Sequence, residues 1–206
     1  MVPSELLPPA FFERDAREVA PLLIGVRLVV REGGQVRAGR IVETEAYCGP
    51  TDLACHARAG ITKRTRTLYG PPGHAYVFLI YGMYDCFNVV VLGEGQGHAV
   101  LVRAIEPIAG VDPGASGAGP GRLTRALGIT RADDGAPLTG GGRITLHPAD
   151  RPARLARTAR VGVAYAGVWA DRRWRWLDKE SAHVSRPPAR SIGRVTARPR
   201  SAPSRP

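Results

Sequence analysis

Apolar positions along this chain come in short runs, and few of them have the spacing of a helix. Near the start, Phe12, Ala16, Val19 and Leu23 recur at helical intervals within FFERDAREVAPLL, and Pro21 is placed to end or kink the helix they predict. The runs that follow have strand character. RLVVRE (27–32) and RAGRIVETEAY (37–47) are joined by the turn-like Gly33-Gly34. HAYVFLIYGMYDCFNVVVLGEGQG (74–97) predicts a hairpin of two β-rich arms about Gly82, and AVLVRAIEP (99–107) a further strand. LTRALGI (123–129) predicts a short helix, while RITLHP (143–148), RVGVAYAG (160–167) and WRWL (174–177) complete a mostly β core.

Between these runs lie stretches without period. Residues 48–73 are rich in Gly, Pro, Thr and Arg, a loop of a length that is functional or disordered in compact domains. GVDPGASGAGPGR (110–122) predicts a flexible link; it lacks the Lys-Ser/Thr ending of a phosphate loop and so does not predict a nucleotide site. From Arg186 onward, Pro, Arg, Ser and Ala without apolar spacing predict a disordered basic tail, 186–206, behind one domain, 1–185.

One strand departs from its pattern. In RIVETEAY, alternation predicts that Ile41, Glu43, Glu45 and Tyr47 share a face, so an apolar strand ends in two carboxylates and an aromatic ring. Burying carboxylates is costly without a partner or a task. Either this is an edge strand whose acids are solvated or paired with arginines, or a carboxylate activates a nucleophile beside a flat platform suited to a planar ligand such as a nucleobase.

Charge narrows the partners. The chain has 206 residues and a formal net charge of +11; six arginines and no acid lie in 186–206, so +11 less six leaves +5 on the rest. A basic domain with a basic arm suits a polyanion such as nucleic acid, although an arginine-rich composition also follows from GC-rich codons. No run of about eighteen apolar residues predicts a membrane helix. The opening residues lack the basic stretch and apolar core of a secretory signal, which predicts an intracellular protein. Cys48, Cys55 and Cys86 are then expected as free thiols. A zinc site from Cys48, Cys55 and His56 has neither a common spacing nor an evident fourth ligand, so no metal is expected.

ETEAYCGPTDLACH, YVFLIYGMYDCFNVV and VLVRAIEP, in this order and spacing, resemble the alkyladenine (3-methyladenine) DNA glycosylase family, as do PPAFFERDAREVAPLLIG and VGVAYAGVWA. The likeness runs from about residue 5 to 186. It implies a mixed α/β (α+β) single domain, with a curved antiparallel sheet, peripheral helices and a protruding hairpin. It implies hydrolysis of the N-glycosidic bond of alkylated or deaminated purines flipped from double-stranded DNA, by a monomer without cofactor. Residue by residue, Glu45 matches the base that deprotonates water, and Arg103 the arginine that helps hold that water and the adjacent phosphate. Tyr47 and Phe78 match the rings that sandwich the flipped base, His56 a contact at its edge, and Asn88 the side chain that crowds out the amine of guanine. Tyr81 matches the wedge that fills the vacated stack, with Met83 and Tyr84 beside it. Phe78 stands where better-known relatives carry Tyr, and Tyr165 where some carry His.

Glu43 has no role in this correspondence; an arginine-paired structural acid is expected. Only Lys63 and Lys179 offer amines and neither lies in a matching block, so a strand-cleaving lyase is not expected. The expected location is the bacterial cytoplasm, at the nucleoid, or the nucleus of a eukaryote. Two rival functions remain at this level. A non-catalytic binder of distorted nucleic acid gains nothing from a carboxylate near phosphates. A hydrolase of free nucleosides has no use for the hairpin tip or the tail.

Overall fold

The computed structural model describes residues 5–150 and 153–185; the basic segment 186–206 lies outside them. Eight strands, all paired antiparallel, form one sheet: β1 (Arg27–Glu32), β2 (Gln35–Cys48), β3 (Ala75–Ile80), β4 (Tyr84–Val91), β5 (His98–Ala109), β6 (Ile144–His147), β7 (Leu155–Thr158) and β8 (Arg175–Asp178). The order is β3-β4-β5-β2-β1-β6, and β8, carrying β7, also pairs with β2 beyond the end of β1. Strand β2 is thus central, hydrogen-bonded along both sides, and the edge-strand alternative for its glutamates is overturned. Among the described residues no helix is long and apolar enough to cross a membrane.

Two compensating bulges set the faces of this sheet. Ile41 pairs with Ile105 but Glu43 with Ala104, so Val42 is an extra residue in β2; Thr44 then pairs with Val102, so Arg103 is an extra residue in β5. An extra residue reverses which side the following side chains take. Ile41 therefore falls on the core side with Ala46 and Cys48, whereas Glu43, Glu45 and Tyr47 remain together on the opposite face. The expected four-residue stripe is corrected to three. Thr44 lies on the core side as well, donating its hydroxyl hydrogen bond to the Ala20 carbonyl at 2.8 Å.

Alternation in the neighbouring strands sorts their residues the same way. Val77, Phe87, Val89, Val100, Val102 and Ile105 pack into one core with α1 (Ala16–Leu22) and α2 (Pro120–Leu127). Each such side chain, fully buried, contributes about 1.5–3 kcal/mol by leaving water. Tyr76, Phe78, Cys86, Asn88, Leu101 and Arg103 line the other side.

The helices follow local chemistry. Helix α1 begins at Ala16, not Phe12, because Asp15 caps it by accepting from the Arg17 amide at 2.8 Å; it ends one residue beyond Pro21. Helix α2 begins at Pro120, inside the stretch expected as a flexible link. That link is packed: a side chain at Gly117 would lie 2.3 Å from the Ile105 carbonyl, and one at Gly121 2.7 Å from Tyr84. Glycine is what allows α2 to seat against the start of β4, next to the hairpin turn. The segment 160–167 is not the expected strand. Gly162 and Gly167 take left-handed φ of 77° and 56°, and a 3-10 turn spans Ala164–Trp169.

Candidate active site

Glu43 and Glu45 are both wholly buried, and arginines from neighbouring strands meet them. Arg103 donates from Nε to Glu43 Oε1 at 2.8 Å and from Nη1 to Glu45 Oε2 at 3.4 Å, bridging the two acids. Arg175 of β8 donates to Glu43 Oε1 at 2.7 Å. Ser185 closes the same corner, its amide donating to Glu43 Oε2 at 2.6 Å and its hydroxyl to Oε1 at 2.9 Å. Glu43 is therefore the arginine-paired acid the sequence led us to expect. Breaking such a buried pair costs about 3–5 kcal/mol, since the surviving charge is left without a partner.

Glu45 is held differently. Its Oε1 accepts the Val161 amide at 2.7 Å, and its Oε2 accepts the Tyr47 hydroxyl at 2.8 Å besides Arg103. A carboxylate offers about four lone-pair sites, so three donors leave room for one more. Burial pushes its pKa up, with Arg103 and the Val161 amide pulling against that shift. The same burial, together with the neighbouring carboxylate, drives the Tyr47 phenol well above its usual range, so it stays a donor.

In front of this pair opens a cavity of about 330 Å³. Tyr47, Arg103 and Val161, the three groups that hold Glu45, all line it; Glu45 itself lies one layer behind them. His56, Phe78 and Asn88 complete the expected set around the same space. His56 sits edge-on to Phe78, ring centroids 4.5 Å apart, and shares a 3.1 Å hydrogen bond between Nδ1 and the Tyr76 hydroxyl. Burial, helped by the charge of Arg64, lowers its pKa to about 4, so it is neutral near pH 7. Asn88 donates its amide hydrogens to the carbonyls of Tyr76 and Cys86 at 3.0 and 3.3 Å, which fixes the side chain; among the described residues nothing donates to its amide oxygen.

The hairpin tip stands at the mouth. Tyr81 lines the cavity yet is 81% exposed, and Met83 beside it is 68% exposed. Tyr81 and Gly82 both have positive φ, 52° and 69°, and the Met83 amide closes the turn on the Ile80 carbonyl at 3.1 Å. Glycine takes that backbone freely, whereas a tyrosine is strained there. Tyr84, exposed, opens β4 just after the tip, opposite Ile80, with Arg125 over its ring at 5.8 Å.

Three residues that the sequence did not single out hold the cavity wall together. Asp52, wholly buried, accepts from Arg160 at 2.5 and 2.9 Å and from the amides of Cys48 and Ala54 at 3.1 and 3.0 Å. Arg160 also donates to the Ala46 carbonyl at 2.9 Å and lies over the Tyr47 ring at 4.8 Å. This buried pair fastens the segment bearing Val161 to the end of β2. The third is Tyr76, two residues before Phe78 on the same strand face, where parity alone was enough to mark it. The trio considered for zinc is not gathered: Cys55 and His56 line the cavity, whereas Cys48 meets Asp15 and His98. There the Asp15 carboxylate is already held by Arg17 at 2.7 and 3.0 Å. All three cysteines are free and buried.

A buried carboxylate–arginine pair thus lies behind an aromatic cavity, beneath an exposed aromatic hairpin tip. The chain belongs to the methylpurine-DNA glycosylase family, whose model matches residues 10–182. A protein of Myxococcus xanthus (strain DK1622) is 52% identical over 187 residues, covering 88% of this chain and 94% of that protein. One from Anaeromyxobacter dehalogenans (strain 2CP-1 / ATCC BAA-258) is 51% identical, covering 88% and 86%. A more distant one, from Methanocella arvoryzae (strain DSM 22066 / NBRC 105507 / MRE50), is 44% identical, covering 88% and 96%. All three carry the provisional name 3-methyladenine DNA glycosylase.

Proposed function

We propose that this protein is a monofunctional DNA glycosylase that removes alkylated and deaminated purines, 3-methyladenine, 7-methylguanine, ethenoadenine and hypoxanthine, from duplex DNA. The observation that carries the reading is Glu45, wholly buried, held by three donors and set directly behind the wall of an aromatic cavity. Chemistry on a base requires the nucleotide to leave the stack, at a cost of a few kcal/mol, and to enter a pocket. In this scheme Tyr47 and Phe78 sandwich the flipped base, and His56, neutral, meets its edge. Tyr81, with Met83 and Tyr84 beside it, fills the gap in the duplex, as apolar wedges do in minor-groove binders. Asn88 crowds the amine that distinguishes guanine.

A water enters the lone-pair site left on Glu45, with Arg103 holding it near the phosphate. As its oxygen bonds to C1′, its proton passes to the carboxylate, and the C1′–N bond breaks with the electron pair leaving on the base. The product is an abasic site. Strand cleavage through an imine needs an amine, and neither Lys63 nor Lys179 lines the cavity. The protein acts as a monomer, without cofactor, in the bacterial cytoplasm at the nucleoid or in a eukaryotic nucleus.

The test is Glu45→Gln, which keeps shape and removes the base. Release of hypoxanthine under single-turnover conditions should fall at least about a hundredfold, the lower range of general-base contributions, while binding to the damaged duplex is kept or tightened. Near-normal turnover would remove Glu45 from the chemistry.

A further inference from the structure

Each of the two rings proposed to sandwich the base, Tyr47 and Phe78, has an arginine against it, and the two arginines differ in one respect. Arg160, 4.8 Å from the centroid of Tyr47, is neutralised by the bidentate bond to buried Asp52. Arg64, 5.3 Å from the centroid of Phe78, donates to the Leu79 carbonyl at 3.4 Å, reaches the Tyr76 hydroxyl as well, and has no carboxylate within 4.0 Å among the described residues. Arg64 does not line the cavity. It lies with Lys63 and Arg131 along a shallow groove that shares Phe78 with the pocket. The one acid in that groove, Asp134, accepts the Thr67 hydroxyl at 2.8 Å and the Val77 amide at 2.9 Å. The field of Arg64 nevertheless reaches the cavity, where it helps keep His56 neutral.

A cation on one face of an aromatic ring draws on the same negative quadrupole that would attract a cation on the other. A purine alkylated at N3 or N7 carries a formal positive charge on its ring system until the glycosidic bond breaks; hypoxanthine and ethenoadenine do not. We infer that Arg64 is a specificity-determining residue, which biases the pocket against ring-cationic purines and toward neutral damaged ones from behind Phe78. The inference rests on the glycosylase reading and adds a substrate preference to it. With the charge about 9 Å from a base stacked on Phe78, an effective dielectric near 20 makes the bias roughly twentyfold unscreened, and salt screening over that distance cuts it to about three- to tenfold.

The experiment compares release of 7-methylguanine and hypoxanthine from otherwise identical duplexes, by the full-length protein and by Arg64→Met, Arg64→Gln and Arg64→Lys. Met keeps the apolar stem over the ring without the charge, Gln does so with a polar end, and Lys keeps the charge. The intrinsic difference between the two leaving groups, and any effect of Asn88 on 7-methylguanine, cancel when each variant's ratio of kcat/KM values is divided by the wild-type ratio. The 7-methylguanine-to-hypoxanthine ratio should rise about three- to tenfold in Arg64→Met and Arg64→Gln and stay within about twofold of wild type in Arg64→Lys. An unchanged ratio in Met and Gln, or an equal loss on both substrates as from a lost phosphate contact, overturns the inference. If the wild-type protein releases neither base, the glycosylase reading itself falls, and the preference with it.

Discussion

At the scale of single residues, the site turns on how one carboxylate differs from its neighbour. Glu43 spends its oxygens on Arg103, Arg175 and Ser185, whereas Glu45 is met by three donors, Tyr47, Arg103 and Val161, which leaves it one lone-pair site. Burial raises the Glu45 pKa from its ordinary 4.5. Catalysis needs the ionised form, so excision should decline on acidification at a higher pH than an ordinary glutamate would give, and the pH profile of single-turnover hypoxanthine release should show that acid limb. An acid limb at or below 4.5 would contradict the assignment. Stability carries the opposite sign. Between 4.5 and the raised value the folded protein binds a proton that the unfolded chain releases, so this group's contribution falls as pH rises through that window. The sequence makes the glutamate pair visible because two acids interrupt an apolar strand, and alternation puts Tyr47 beside them. Parity along one strand cannot show the extra residue at Val42, which moves Ile41 to the core, nor that Arg103 sits in the answering bulge.

At the scale of elements, the hairpin is where sequence and structure agree most closely. Gly82 in YGMY marks the turn, and the arms on either side alternate between core and cavity. Less legible were elements fixed by long-range contacts. RVGVAYAG has the composition of a strand, but Arg160 is drawn into the buried bond with Asp52, 108 residues away, and the glycines at 162 and 167 turn the chain. LART, with alternating partial exposure, becomes β7 only because β8 is there to pair with it. The hairpin tip yields a prediction of its own. Tyr81 holds a left-handed φ that glycine adopts freely, so Tyr81→Gly should stabilise the fold by about 1 kcal/mol. For a domain of this size that raises Tm by roughly 2–4 °C. The same change leaves nothing to fill the stack, so excision from a well-paired site should drop more than excision from a mismatched one. A lower Tm together with equal losses on both duplexes would make Tyr81 a structural residue.

At the scale of the whole molecule, the two faces of one sheet divide the labour. The core side carries α1, α2 and the apolar side chains that stabilise the fold; the opposite side carries the cavity, its buried charges and the exposed tip. The net charge of +11 includes six arginines in 186–206, so deleting that segment should lower the salt dependence of DNA binding by up to about six charges' worth, near 0.9 per phosphate contact, with little change in excision at saturating enzyme. An unchanged salt slope would mean that those arginines do not meet DNA. The most direct measurement of all is made on the intact protein: incubation with duplexes carrying a single hypoxanthine or ethenoadenine, with chromatography of the released base and electrophoresis of the strand before and after alkali. The account predicts stoichiometric release of the free damaged base, with a strand that stays whole until alkali cleaves it at the abasic site. Tight binding without any released base, or a strand already cut before alkali, would contradict it.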